Sequence, residues 1–385
     1  MVIHDTSTRG MSCSVGICLL ALLLTGVSQA AEDWTPFRLQ GQAVISLVVN
    51  PQDIDNMFAI VGPERQTYVG DDLLKTVDGG ATWYSILGDR ERPKVIALDV
   101  SQPTNVYLAA DKVVFATLTS GYFFRSTDGG ETWDDGVTFH DPPVGIHQIV
   151  VHPRDTTTLY LVRSRFGTVL HRSRDGGESW SSLIGDLGEI RVEVDSREAD
   201  VLYGAFCGIF PFSIAKSTDG GTSWIDLMPE AECSRVVAVS PSEPDIVYFV
   251  EAGDEERLFR SADAGATWQT LPTPSDSRFI RMRVHPLNPN RLYAIAYHPE
   301  ARQLLVSGDG GENWELFMDG IEGKEVYDVI FNPERPARLF ACASDGIYQV
   351  ADVAADVSPD HGAMKTTQWG AIRAAHGWTP HNQAQ

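Results

Sequence analysis

Cysteine is scarce in this chain: five residues in 385, with no Cys-x-x-Cys pair and no His-x-x-x-His spacing. That excludes the common zinc frameworks and a disulfide-dense fold. Basic residues are also few. The 30 lysines and arginines face 52 aspartates and glutamates, a formal net charge of −22. Such a surface disfavours nonspecific contact with nucleic acid or anionic lipid. Helical periodicity is absent throughout, so all-α and doubly wound folds have nothing to be built from. There is no serine nucleophile elbow and no phosphate-cradling glycine loop, which removes two large enzyme classes. Long apolar runs are missing as well. The run from Ile17 to Leu24 is shorter than the ~20 residues a membrane span needs, and no later stretch is long enough.

That short run is followed by Ser28-Gln29-Ala30-Ala31. An apolar stretch ahead of a small-residue site reads as a secretory signal, cut near Ala30; an uncleaved anchor helix is the alternative. Residues 1–30 are therefore expected to be a leader, and the mature chain to be extracytoplasmic, periplasmic or secreted. Cys13 and Cys18 leave with the leader. In an oxidising compartment Cys207 and Cys233 are candidates for a bridge within one repeat unit. The sequence leaves them bridged or free, because it does not show whether their Cβ atoms meet. Cys342, in Leu339-Phe340-Ala341-Cys342, reads as a buried small hydrophobe.

What the chain has in abundance is one phrase. Ser126-Thr127-Asp128-Gly129-Gly130-Glu131-Thr132-Trp133 returns along most of its length. The aspartates of the six copies are Asp78, Asp128, Asp175, Asp219, Asp263 and Asp309. A period of this size means a solenoid, a propeller or an array. Asp-Gly-Gly is a tight-turn signal: the carboxylate accepts backbone N–H groups, and glycine supplies positive φ without steric cost. The fifth copy reads Asp263-Ala264-Gly265, so the second glycine position is expected to be the left-handed one. The hydroxyl residue two before the aspartate and the polar residue four after it are expected to brace the turn. The tryptophan is expected to bury its ring between sheets.

A second phrase occurs seven times. It runs from Val48-Val49-Asn50-Pro51 to Met57-Phe58-Ala59, and last from Phe331-Asn332-Pro333 to Leu339-Phe340-Ala341. Each copy is an alternating strand, a polar turn and a second strand. Adding the short strand before the box and the strand after it makes four strands per unit, the blade of a β-propeller. The reading is all-β: a seven-bladed propeller over residues 31–351. The seventh unit has lost its box, but Asp33-Trp34-Thr35-Pro36-Phe37 resembles Thr82-Trp83-Tyr84-Ser85-Ile86. An N-terminal strand is therefore expected to complete the last blade and close the ring. Residues 352–385 are rich in small and polar residues and are expected to form a disordered tail.

The octapeptides resemble Asp boxes, or BNR repeats, of the sialidase-like propellers. In that family the boxes are structural and peripheral. The number and density of units resemble single-propeller proteins of the photosystem II assembly and stability factor type. That resemblance implies an exported, non-enzymatic propeller whose partner is another protein. Two alternatives stay open, an exported glycoside hydrolase and a carbohydrate-binding propeller. The resemblance to sialidases would require three arginines around a sugar carboxylate. No Arg-Ile-Pro stands ahead of the first unit, where sialidases usually carry it.

The alternating strands are expected to line the central channel. Their early polar positions include Gln148, Arg191, Glu193, Arg281, Arg283 and Asp328. Arg191, Glu193, Arg281, Arg283 and Asp328 are the candidate ligand-binding residues. Arginine forks suit carboxylate and phosphate groups; a self-neutralising ion-pair network is the competing reading. No catalytic residue is nominated, and no metal or cofactor is expected.

Overall fold

The computed structural model describes residues 33–62, 72–87, 91–115, 118–139, 145–164, 169–184, 188–208, 213–253, 255–298 and 301–352. Leader residues 1–30 and the tail from 353 onward lie outside these. The described residues form seven antiparallel sheets of four strands and contain no helix. The protein is a seven-bladed β-propeller.

Blade 1 shows the plan. Val44–Val49 pairs with Met57–Val61, then Asp72–Thr76, then Tyr84–Ser85. The first strands of blades 2 to 7 are Glu91–Leu98, Gly145–Val151, Gly188–Val194, Ser234–Val239, Arg278–His285 and Val326–Phe331. First strands of neighbouring blades pack side by side around the axis in six of the seven pairs; that of blade 7 packs on the second and third strands of blade 6. The second strands are almost wholly buried, because each is covered on both faces by neighbouring sheets. That explains runs such as Met57-Phe58-Ala59-Ile60-Val61, which do not alternate.

Seven hydrophobic clusters fill the seven gaps between blades, and each contains one tryptophan. Six come from the boxes: Trp83, Trp133, Trp180, Trp224, Trp268 and Trp314. The seventh is Trp34, 2% exposed in the gap between blades 6 and 7. The strand Thr35–Arg38 pairs antiparallel with Gly346–Ala351, Thr35 opposite Gln349. The ring is therefore closed by hydrogen bonds between the two ends of the propeller sequence. With no box behind it, Trp34 uses a different acceptor. Its indole N–H donates to the Phe317 carbonyl at 3.0 Å, whereas Trp83, Trp180 and Trp224 donate to the second glycine of their own box.

Each box is a fully wired turn. In the second copy Ser126 Oγ donates to Asp128 Oδ1 at 2.7 Å and accepts the Gly130 N–H at 2.8 Å. Thr132 donates to Asp128 through both its N–H and its hydroxyl. The first box glycine donates its N–H to the turn between the first two strands of the same blade, as from Gly129 to the Thr104 carbonyl at 2.8 Å. Boxes and proline-phrase turns therefore share one face. Both glycine positions have positive φ, not the second alone. Ala264 takes φ 59° at the first position, which shows that this one tolerates a Cβ. The second does not: a Cβ on Gly177 would sit 2.8 Å from the Phe123 ring.

Cations latch one blade to the next. Lys75 pairs with Glu131, Arg125 with Glu178, and Arg172 donates to the Gly220 carbonyl at 2.8 Å. Arg38 of the closing strand makes the equivalent bond to the Gly79 carbonyl of blade 1, at 3.0 Å. Blade 7 lacks a box, and Asp352 takes its place. It is fully buried and holds Arg291 and the Tyr293 hydroxyl of blade 6. The propeller thus extends one residue beyond the repeat pattern.

Cys207 and Cys233 are bonded, with Cα atoms 4.4 Å apart. The expectation of a bridge within one unit is corrected. Cys207 is the last residue but one of the second strand of blade 4, and Cys233 immediately precedes the first strand of blade 5. The bridge ties neighbouring blades on the face opposite the boxes. Cys342 is buried and free.

Candidate functional site at the channel mouth

The channel wall is built by the early residues of the first strands, on the face away from the boxes. Six of the seven first strands carry a β-bulge there, and only blade 4 is regular. A bulge leaves one residue outside the ladder and re-aims side chains. The bulged positions are Ile45, Lys94, His147, Arg235, Ile280 and Tyr327. Blade 4 delivers Arg191 and Glu193 by plain alternation instead.

Three of the five candidates meet directly. Asp328 is buried, and Arg281 reaches its Oδ2 at 2.5 Å. Arg283 contacts both of its carboxylate oxygens through Nη2, at 3.0 and 3.2 Å. Burial opposes ionisation of Asp328, but the two guanidinium groups outweigh it and hold the carboxyl below its usual range. Two arginines on one aspartate leave a surplus positive charge at the wall.

Arg191 and Glu193 stand apart from that triad. Glu193 makes neither a hydrogen bond nor an ion pair within 4 Å among the described residues. Its side chain is only partly exposed. Burial pushes its carboxyl up to about 7, against the pull of Arg283, Arg191 and Arg281. Gln148 serves the scaffold: it exchanges two hydrogen bonds with the backbone of Val192.

Other members were not legible from the sequence. Lys94 pairs with the buried Asp111 at 2.6 Å. Gly145 is what leaves room for this, since a Cβ there would lie 2.5 Å from Lys94 Nζ. Beside them, burial and then Arg191 push the His147 imidazole down to about 4, so it is neutral at physiological pH. On the same face Arg302 lies over the rings of Tyr297 and Tyr327, at 5.3 and 5.2 Å. A lysine one residue inside a bulge carries no local signal, because register depends on pairing and not on residue type.

The site therefore gathers Lys94, Arg191, Arg281 and Arg283 against Asp111, Glu193 and Asp328. That makes the channel locally cationic in a chain of net charge −22. The geometry suits the docking of an anionic group, and low-dielectric walls focus its field. Among the described residues no group of three or more His, Cys, Asp or Glu side chains is placed to hold a metal ion. Nor do the described residues hold a helix long and apolar enough to cross a membrane.

Comparison with known proteins gives three kinds of match. The family model of Sortilin-Vps10 (sortilin, neurotensin receptor 3) matches residues 213–355. The chain is 24% identical over 298 residues to the xyloglucanase Xgh74A of Acetivibrio thermocellus, covering 63% of this chain and 35% of that protein. It is 23% identical to the photosystem II assembly lipoprotein Ycf48 of Synechococcus sp. (strain CC9902), covering 80% of this chain and 88% of the relative. The solved structure of YCF48 bound to D1 peptide superposes with a TM-score of 0.57 at 15% identity, covering 84% of this chain and 97% of that one. The chain thus spans about a third of the length of the xyloglucanase and most of the length of Ycf48. Structural likeness at such identity establishes the shared propeller fold alone.

Proposed function

We propose that this protein is an exported, non-enzymatic propeller that holds a segment of another protein over its channel mouth, as a binding or assembly scaffold. The observation that carries the reading is the state of the channel carboxylates. A glycosidase needs two opposed carboxyl groups free to act as acid and as base or nucleophile. Here Asp111 is committed to Lys94 and Asp328 to Arg281 and Arg283, so neither of these two channel-wall carboxylates stands free to oppose Glu193. What remains is an arginine-rich mouth, suited to binding. The similarity to Ycf48 along most of that protein's length, and the D1 peptide in the YCF48 structure, support a protein partner. The Cys207–Cys233 bridge supports an oxidising compartment outside the cytoplasm.

The competing reading is a glycoside hydrolase, favoured by the xyloglucanase similarity. One experiment separates them. A photo-crosslinker is placed at Arg278 on the channel face or at Thr132 on the box face, and the protein is assayed against xyloglucan oligosaccharides and a panel of fluorogenic glycosides. The scaffold reading expects one protein partner cross-linked from position 278, none from position 132, and no turnover. Turnover that Arg283→Ala abolishes would overturn it.

A further inference from the structure

A groove on the rim breaks the repeat as sharply as the channel mouth does. It lies over the gap between blades 2 and 3 and has a volume of about 450 Å³, within the roughly 300–1,000 Å³ of small-molecule sites. Its walls are Thr138 and Phe139 of blade 2 and Arg163, His171, Trp180 and Ser182 of blade 3. Three of these residues are singular among the units. Phe139 stands six after its box tryptophan, where the other copies have Asp89, Asp186, Glu230, Pro274 and Gly320. His171 stands two before its box serine, where the others have Leu74, Phe124, Ala215, Phe259 and Leu305. Arg163 takes a place that is apolar in every other blade except blade 5, where it is Glu251.

The three fit one another. Arg163 Nε lies 3.0 Å from His171 Nε2; a guanidinium can only donate, so Nε2 accepts. Burial and then Arg163 push the imidazole down to about 4. The ring is therefore neutral, with its proton on Nδ1, and that N–H makes no hydrogen bond among the described residues. Phe139 packs on the histidine ring at 4.6 Å and edge-on to Trp180 at 5.6 Å. Thr138 and Ser182 are exposed, and their hydroxyls make no hydrogen bond among the described residues. The charged lining residues are one of each sign, Arg163 and Glu178, so neither an anion nor a cation is favoured.

Ring faces beside uncommitted hydroxyl and N–H groups match a molecule with one apolar face and a hydroxylated edge. We propose that this rim groove binds a neutral saccharide, its apolar face against Phe139 and the exposed edge of Trp180 and its hydroxyls meeting Thr138, Ser182 and His171 Nδ1–H. An acyl chain would leave those polar groups without partners. The groove binds without cleaving. Glu178 is the one carboxylate that lines it and is paired with Arg125 at 3.1 Å, whereas glycosidic cleavage needs two. Trp180 keeps its fastening role, its indole N–H held by Gly177. The channel is walled by first strands and the groove by later ones, so this proposal does not rest on the channel reading.

The test uses the whole oxidised protein, with cellotetraose, mannotetraose and maltotetraose as neutral probes and a galacturonate tetramer as their charged counterpart. Binding is read by nuclear magnetic resonance from the indole N–H of Trp180. The expected result is a saturable shift of that signal with at least one neutral probe. Phe139→Ala should weaken it about tenfold, the worth of one aromatic contact. Ser182→Trp, at an exposed position, fills the groove without removing a packed atom and should abolish the shift at an unchanged melting temperature. Arg283→Ala, at the channel, should leave it as it is. Should Phe139→Ala fail to fold, Ser182→Trp decides alone. The proposal is overturned if no neutral probe moves the Trp180 signal, or if the galacturonate binds in preference to all of them. Wild-type binding by Ser182→Trp, or loss of binding in Arg283→Ala, would overturn it equally. None of these outcomes bears on partner cross-linking from position 278, so the scaffold reading stands or falls separately.

Discussion

The box face and the channel mouth are built from the same seven units and obey opposite rules. On the box face one solution is repeated six times, and the pairing of Ser126, Asp128 and Thr132 recurs nearly atom for atom in every copy. At the channel mouth no two blades present the same side chains. Lysine, histidine, arginine with glutamate, and paired arginines stand at related positions of blades 2, 3, 4 and 6. Repetition marks what any blade needs to be a blade. Departure from it marks what the assembled ring is for. The propeller's tryptophans therefore belong with the fasteners, since all seven lie in gaps between blades.

The comparison can be broken at several points. The largest effect is expected from Trp34→Ala, which empties the seventh gap and removes the Phe317 bond; chemical denaturation should show a loss of about 3–5 kcal/mol. A box-like contribution from Trp34 predicts the same for Trp180→Ala, reduced because that ring is only half-buried. Next comes the bridge between blades 4 and 5. Cys207→Ser with Cys233→Ser opens a loop of 26 residues and should cost about 3 kcal/mol in the same assay. Ser126→Ala removes a buried hydroxyl and strands the Gly130 N–H; a loss of about 1–2 kcal/mol is expected, with the channel's binding of sulfate, an anionic probe, untouched.

Acid should find the boxes together. Hydrogen bonds from the residue four positions on lower Asp78, Asp128, Asp175, Asp219 and Asp263 to about 2. Lowered values mean stability that is present above the unfolded carboxyl range and lost as the pH falls through the folded value. A melting curve followed by circular dichroism should therefore drop between about pH 4 and about pH 2. Glu193 has the opposite sign. Its raised value means that its contribution is complete below 4.5 and fades as the pH climbs through about 7. Glu193→Gln should accordingly melt slightly higher than the wild type in mild alkali and no higher in mild acid. This is the smallest of the expected shifts.

The fold was legible because a propeller writes itself as a period. The box spacing, the seven copies of the second phrase and the resemblance of Trp34 to the box tryptophans sufficed for blade number and closure. Local turn chemistry was only partly legible: the left-handed first box position hides behind Ala264, since a single residue type does not fix φ. The site was legible by half. Arg281, Arg283 and Asp328 were named from strand alternation, but their mutual contact joins adjacent blades, and alternation carries no information about that. Lys94 and His147 were missed for a different reason: they sit at bulges, where the two-residue period slips. The direction of the Cys207–Cys233 bridge was hidden likewise, because loops between blades have no register to read.

The central claim is that repeated residues hold the ring and singular channel residues hold the ligand. Its most direct test is to measure melting temperature and sulfate affinity together in Ser126→Ala and Arg191→Gln. The account predicts a lower melting temperature with unchanged affinity for the first, and weakened affinity with a nearly unchanged melting temperature for the second. Loss of sulfate binding in Ser126→Ala, or full binding in Arg191→Gln, would contradict it.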